Sequence, residues 1–181
     1  MFLAGPVLLY RRLRYGYAFR RIPLTQGKYA IVDPDDYYWL SEYKWSAYGG
    51  ACNKFYALRK GPRRNGKRRK LIRMHREVAN TPDGLECDHI NGDGLDNRKA
   101  NLRSVTHMQN CWNLRKSSRV GYSKYKGITF HKREQKWGAK ICVDGQHISL
   151  GRFKEEIEAA KAYDKAAKKY FGQYANLNFP E

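Results

Sequence analysis

Two short stretches of this sequence hold residue types able to do hydrolytic chemistry. The first is Cys87-Asp88-His89-Ile90-Asn91-Gly92-Asp93. The second is Asn101-Leu102-Arg103-Ser104-Val105-Thr106, followed by Asn110. Adjacent Asp and His at a strand end, followed by a helix carrying Asn, can build a compact site for hydrolysing a phosphodiester. Such a reaction needs a base to activate water and a divalent cation to stabilise charge on the phosphate and the leaving oxygen. It also needs a group that holds the base in one tautomer. His89 suits the base, because imidazole titrates near neutrality. Asp88 offers a hard oxygen to Mg2+ or Mn2+. Asn110 offers a carbonyl oxygen from the first turn of the following helix, and Asn101 can hold His89 by a hydrogen bond.

The same segment allows a second metal reading. Cys87 and His89 share a strand face, and His107 and Cys111 share a helix face at i and i+4. Together they form a zinc alternative, although the first pair has unusual spacing for zinc ligands and Asp88 and Asn110 would stand idle. The carboxylates Asp88, Asp93 and Asp96 cluster here, and on charge alone they read as turn residues first. His75, His131 and His147 are expected to be structural or to meet phosphates.

Elements must position these residues. Leu85–Ile90 reads as a strand, residues 91–94 as a loop and Asn101–Val105 as a second strand. Thr106 then caps a helix running to about Arg115, with Gln109 completing a capping box. Upstream, Lys28–Val32 and Asn53–Arg59 read as strands flanking the turn Asp33-Pro34-Asp35-Asp36. The aromatics between them (Tyr37, Tyr38, Trp39, Tyr43, Trp45) are expected to form a small core, ahead of stacking on bases. Leu71–Val78 runs towards a strand end or a short helix. Downstream, Gly127–His131, Lys136–Val143 and His147–Leu150 alternate as strands, with Asp144-Gly145 as a tight hairpin. Lys154–Phe171 reads as an amphipathic helix, with Ile157, Ala160, Tyr163, Ala167 and Tyr170 on one face and Gly172 as its stop.

Charge points to a polyanion. The 181 residues carry 36 Lys and Arg against 17 Asp and Glu, a net charge of +19. Residues 1–80 hold most of the excess, with 18 basic and 5 acidic side chains. Residues 59–70 contain eight basic residues and no acid, around Asn65-Gly66. This reads as the tip of a basic hairpin in which Arg63, Arg64, Lys67, Arg68, Arg69 and Lys70 meet phosphates, since like charges this dense repel without an anionic partner. Mean hydropathy is −0.82, so any core is modest. The longest apolar run, Met1–Tyr10, is broken by Gly5 and Pro6, which excludes a membrane span. Its charges, Arg11, Arg12 and Arg14, come after it, where a secretory signal would place them before. The four cysteines form no C-x-x-C pair and fit a reducing compartment.

Asp88-His89-Ile90-Asn91-Gly92-Asp93, then Asn97, Asn101–Thr106 and Asn110, resemble the HNH motif of phage homing endonucleases, a ββα-metal fold around one divalent ion. The resemblance implies Asp88 and Asn110 as metal ligands, His89 as general base and Asn101 as the Asn that orients it. Arg73-Met74-His75-Arg76 is similar to the stretch upstream of that motif. Ser104 stands where many relatives carry Trp, a difference expected to affect packing. Residues 124–180 resemble the DNA-binding domain of plant ethylene-response factors, the Apetala class. That likeness rests on Tyr125-Lys126-Gly127-Ile128, Leu150-Gly151-Arg152-Phe153, Glu155–Asp164 and Leu177-Asn178-Phe179-Pro180. It implies a sheet laid in the major groove, with Lys126, Thr129, His131, Lys136, Lys140, Cys142, His147 and Ser149 at groove-facing sites and Lys132 and Arg133 beside them. Several plant Arg and Trp readers are replaced here, so the fold carries over and the target sequence does not.

The expected fold class is therefore α+β. Residues 1–21 form a basic arm in which no period is read, leaving a disordered arm and an upstream extension as alternatives. Residues 22–114 form a β-rich region with the ββα-metal unit, 115–123 a linker, and 124–181 a three-stranded antiparallel sheet packed on one helix. The expected function is cleavage or nicking of double-stranded DNA with one Mg2+ or Mn2+ per site. The expectation includes no membrane, no small-molecule cofactor, a monomer or weak dimer, and a cytoplasmic setting in a bacterial host or phage-infected cell. The competing classes are a DNA-binding regulator with an inactive HNH scaffold and an RNA-binding basic protein.

Overall fold

The computed structural model describes residues 4–49, 54–63, 68–114 and 123–180. Arg64, Lys67, the Asn65-Gly66 turn and linker residues 115–122 lie outside them. The chain is α+β and divides into two compact units, Met1–Val105 and Thr106–Glu181.

The first unit opens with α1 (Ala4–Tyr15), where the sequence suggested an arm without a period. Its Leu and Arg content favours helix, and Gly16 N–H closes the last turn on Arg12 O at 2.9 Å. Leu9, Tyr10 and Leu13 stay exposed, so the helix lacks the buried stripe that makes a period legible. Strands β1 (Arg20–Pro23) and β2 (Tyr29–Val32) form an antiparallel hairpin that turns Ile22, Ala30 and Val32 into the core. The short helix α2 (Tyr37–Ser41) adds Leu40, whose carbonyl accepts the Trp45 indole N–H at 2.8 Å. Of the aromatic group, Trp45 is buried, Tyr37 and Trp39 pack against the core, and Tyr38 and Tyr43 stay exposed.

Strands β3 (Ser46–Gly49), β4 (Phe55–Lys60) and β5 (Leu71–Arg73) make an antiparallel sheet in that order. Lys60 pairs with Leu71, and Gly61 N–H donates to Lys70 O at 2.8 Å, so residues 61–63 and 68–70 flank two paired strands. Helix α3 (Met74–Val78) drops Met74 and Val78 into the same core. Strands β6 (Glu86–His89) and β7 (Leu102–Val105) then pair antiparallel, with Asp88 opposite Arg103 and His89 opposite Leu102.

The second unit begins with α4 (His107–Asn113). Thr106 caps it, and both halves of the expected capping box are present. Strands β8 (Ile128–His131), β9 (Lys136–Val143) and β10 (Gln146–Phe153) form an antiparallel sheet with β9 in the middle. Asp144 and Gly145 take φ of 49° and 79°, as a two-residue hairpin requires. Helix α5 (Glu156–Phe171) covers one sheet face, packing Ala159, Ala160, Tyr163 and Ala167 on Ile128, Ala139 and Ile141. Trp112 of α4 stacks on Phe171, with ring centroids 4.7 Å apart and planes 14° apart, so α4 is seated on the end of α5.

Candidate active site and nucleic-acid interface

His89 ends β6 and is 5% exposed. Its Nε2 lies 3.4 Å from Asn97 Oδ1. Asn97 Nδ2 donates to Leu95 O at 3.1 Å, which turns the carboxamide oxygen towards the imidazole. A carboxamide oxygen only accepts, so this contact selects the tautomer protonated on Nε2 and places the basic lone pair on Nδ1. Burial pulls the His89 pKa below its ordinary value, opposed by the Asn97 hydrogen bond and then by Asp88, Asp93 and Asp96. The ring is therefore neutral and able to accept a proton at neutral pH.

Asn97 is placed by the hairpin in front of it. Its N–H donates to Ile31 O at 2.7 Å, and Ile31 N–H donates to Leu95 O at 2.8 Å, so β2 docks the loop that carries it. Asn101, expected against His89, acts one step further out. Its Oδ1 accepts Asn91 N–H at 3.0 Å, and its Nδ2 donates to Asn91 Oδ1 at 3.0 Å and to Asp96 O at 2.8 Å. The side chain facing His89 is Asn97, and Asn101 ties down the loop between them. The reason is reach: Asn101 closes a 3-10 turn before β7, where its carboxamide meets backbone groups of the 91–96 loop. Asp93 and Asp96 behave as turn residues. Asp93 Oδ1 accepts Leu95 N–H at 2.9 Å, and Asp96 is ion-paired with Arg98 at 2.6 Å.

Asp88 is buried beside His89, and its Oδ2 takes Arg103 Nε at 2.9 Å and the terminal guanidinium nitrogen at 2.8 Å. This cross-strand pair fixes the orientation of the carboxylate through charge-assisted hydrogen bonds. Asn110 is carried on α4 in the second unit, where its N–H donates to Thr106 O at 3.0 Å. On the zinc alternative, His107 Nε2 and Cys111 Sγ do share a helix face at 3.6 Å, while Cys87 Sγ donates to His75 O at 3.5 Å. No group of three or more His, Cys, Asp or Glu side chains able to hold a metal stands together among the described residues.

Two further rings meet His89, only one of them singled out in the sequence. The His75 ring meets the His89 ring edge to face at 4.9 Å, and Tyr56 flanks both, at 5.8 and 6.0 Å. His75 carried a signal in the Arg73-Met74-His75-Arg76 stretch. Tyr56 carried none, since a strand tyrosine reads as packing.

The sheet of the second unit presents Thr129, Lys136, Lys140, Cys142, His147 and Ser149 as exposed side chains, with His131 half-buried. The face is set by alternation: Trp137, Ala139, Ile141 and Val143 of β9 pack towards α5, which leaves Lys136, Lys140 and Cys142 on the other side. Arg152 joins them through its pairing opposite Gly138, and it is ion-paired with Glu134. Lys132 lies in the β8–β9 turn and is exposed. Lys126 is placed elsewhere. Its Nζ donates to Trp112 O at 2.7 Å in the last turn of α4, and burial pushes its pKa down to about 8. An ammonium there satisfies a helix-end carbonyl that lacks an intrahelical donor, so Lys126 fastens α4 and does not face a groove. In the first unit, Arg63, Arg68, Arg69 and Lys70 are all exposed.

The HNH endonuclease family model matches residues 76–111, and the AP2 domain model matches residues 123–173. The chain carries an HNH endonuclease domain and an AP2 domain. An uncharacterized HNH endonuclease, L560, of Acanthamoeba polyphaga mimivirus is 26% identical over 159 residues, covering 84% of this chain and 76% of that protein. Protein 3.8 of Escherichia phage T7 is 28% identical over 103 residues, covering 56% and 84%. The AP2-like ethylene-responsive transcription factor TOE2 of Arabidopsis thaliana is 40% identical over 65 residues, covering 36% of this chain and 13% of its own length. The chain thus spans only a small part of the plant relatives and most of the viral ones. The HNH match ends inside α4, a helix that packs with the AP2 domain.

Proposed function

We propose that this chain is a DNA endonuclease of the homing type, hydrolysing or nicking phosphodiester bonds in double-stranded DNA. The HNH domain supplies the chemistry, and the AP2 domain docks on the duplex. The observation that carries the reading is His89, buried and neutral at the end of β6, held by Asn97 and adjacent to Asp88 in its pair with Arg103, within the segment that matches the HNH family. In this reading His89 Nδ1 takes the proton from the attacking water. Asn97 fixes the tautomer and Asn101 fixes the loop that carries Asn97. Arg103 keeps Asp88 oriented.

The donor set fits a hard divalent ion. A carboxylate from Asp88 and a carboxamide oxygen from Asn110 suit Mg2+ or Mn2+, which keep several waters and take phosphate oxygens. One such ion per site would stabilise charge on the phosphate and the leaving oxygen. Arg63, Arg68, Arg69 and Lys70 contact phosphates, and Thr129, His131, Lys132, Lys136, Lys140 and His147 form the AP2 surface towards DNA. The protein acts as a monomer or weak dimer in the cytoplasm of a bacterial host or phage-infected cell, at the nucleoid.

The test is cleavage of supercoiled plasmid and of DNA flanking the native gene, with and without Mg2+, beside His89→Ala. Relaxed circles or discrete fragments are expected only with metal. They should fall about 100- to 10,000-fold in the variant, the range for losing a general base, while DNA binding is kept. Binding without metal-dependent cleavage on either substrate would reject the nuclease reading in favour of a regulator.

A further inference from the structure

Among the described residues, His75 Nδ1 is a buried polar atom with no hydrogen-bond partner, although the residue is only 5% exposed. An unpaired buried nitrogen carries a desolvation cost. A phenylalanine ring at this position would keep the edge-to-face contacts with His89 and Tyr56 without that cost. Packing therefore explains the ring and leaves the nitrogen unexplained. Such an atom in a native site calls for a partner that arrives with the substrate or the reaction.

Its surroundings narrow the choice. The ring sits on α3, whose Met74 and Val78 are locked into the core, so its position is set by the fold. At 4.9 Å between centroids, the His75 and His89 imidazoles are close enough for one oxygen to reach nitrogens of both at ordinary lengths of about 2.7–3.2 Å. Desolvation, with His89, Arg73 and Arg76 adding to it, holds the His75 pKa down to about 3, so the ring stays neutral. A neutral imidazole gives no charge to attract a phosphate oxygen, but it can donate to or accept from water.

We propose that His75 is a water-positioning residue of the active site, whose Nδ1 takes the attacking water and presents it to His89. The inference rests on the nuclease reading above. No bond forms to His75: the water gives its proton to His89, and its oxygen attacks phosphorus.

The test compares His75→Asn with His75→Leu in the full chain. The two side chains are close in size and remove the same ring, but only Asn keeps a polar atom near the place of Nδ1. His75→Phe keeps the ring and removes the nitrogen. His75→Leu and His75→Phe are expected to lower kcat about 100-fold, the cost of misplacing a reacting group. KM for DNA should be unchanged in both, and Tm in His75→Phe should be at or above the parent value. His75→Asn is expected to regain most of kcat. Parental kcat in His75→Phe, or equal loss in the Asn and Leu variants, would overturn the proposal and leave the ring a packing element. Absence of cleavage by the unaltered protein would instead overturn the nuclease reading itself.

Discussion

His75 and His89 are buried together, so both resist protonation, and this has a consequence for stability. The unfolded chain binds a proton at each histidine below its ordinary pKa of 6.5, and the folded chain does so only at lower pH. Between those values the unfolded state holds more protons, so stability is full above about pH 6.5 and falls as pH drops towards 3. For His75 alone the loss by pH 3 is on the order of 4 kcal/mol. Urea denaturation from about pH 7 to about pH 4 should show a falling midpoint. The fall should be shallower in His75→Phe, and an unchanged slope would mean that His75 titrates normally. A second residue-scale prediction separates two roles for Lys126. Its Nζ serves Trp112 O, so Lys126→Met should cost about 1–3 kcal/mol in stability. The salt dependence of DNA binding should stay the same, and a reduced slope would return Lys126 to the interface. At this scale the sequence made His89 and Asp88 legible, because adjacent residues on a strand carry their spacing into the fold. It did not separate Asn97 from Asn101. Either carboxamide can reach an imidazole, and only the docking of the 91–97 loop on β2 decides which one does.

The element that links sequence to packing is α4. Thr106 and Gln109 announce its start, because a capping box is made from local side-chain and backbone groups. Its partner is not local. Trp112 stacks on Phe171 and lies near Tyr174, 59 and 62 positions further along the chain. Trp112→Ala should cost about 3–5 kcal/mol, the range for deleting a packed aromatic. It should lower the melting transition of the AP2 domain and spare the first unit, and a uniform shift of both would contradict the assignment of α4 to the second unit. β9 was legible to the residue, since its alternation is complete. β10 was read only as His147–Leu150. A bulge between Ser149 and Gly151 breaks the alternation there, while Arg152 and Phe153 still pair with Gly138 and Trp137. Helices α1 and α2 were not read, one for want of a buried stripe and the other because its five residues are too short to show a period.

Across the full chain, charge governs the encounter with DNA. Arg63, Arg68, Arg69 and Lys70 of the first unit and the outer sheet face of the AP2 domain are exposed, and no helix among the described residues is long and apolar enough to cross a membrane. Replacing Arg68, Arg69 and Lys70 by Ser should flatten the plot of log affinity against log salt by about 0.9 for each phosphate no longer neutralised. Sequence preference should change little, because phosphate contacts position a protein without reading bases. Lys140→Ala on the sheet face should instead alter preference among DNA sites. If the loop variant changes preference and Lys140→Ala changes only the slope, the two surfaces have exchanged roles. The two domains, the α+β class, the basic excess and the His-Asp pair were all readable before folding, because they are written in composition, periodicity and contiguous spacing. Folding alone settled that Lys126 ends on a helix carbonyl, that Asn97 faces His89 and that His75 stands against it with an unpaired nitrogen. Each of those facts depends on a contact between segments separated along the chain, and no local propensity records where such segments meet.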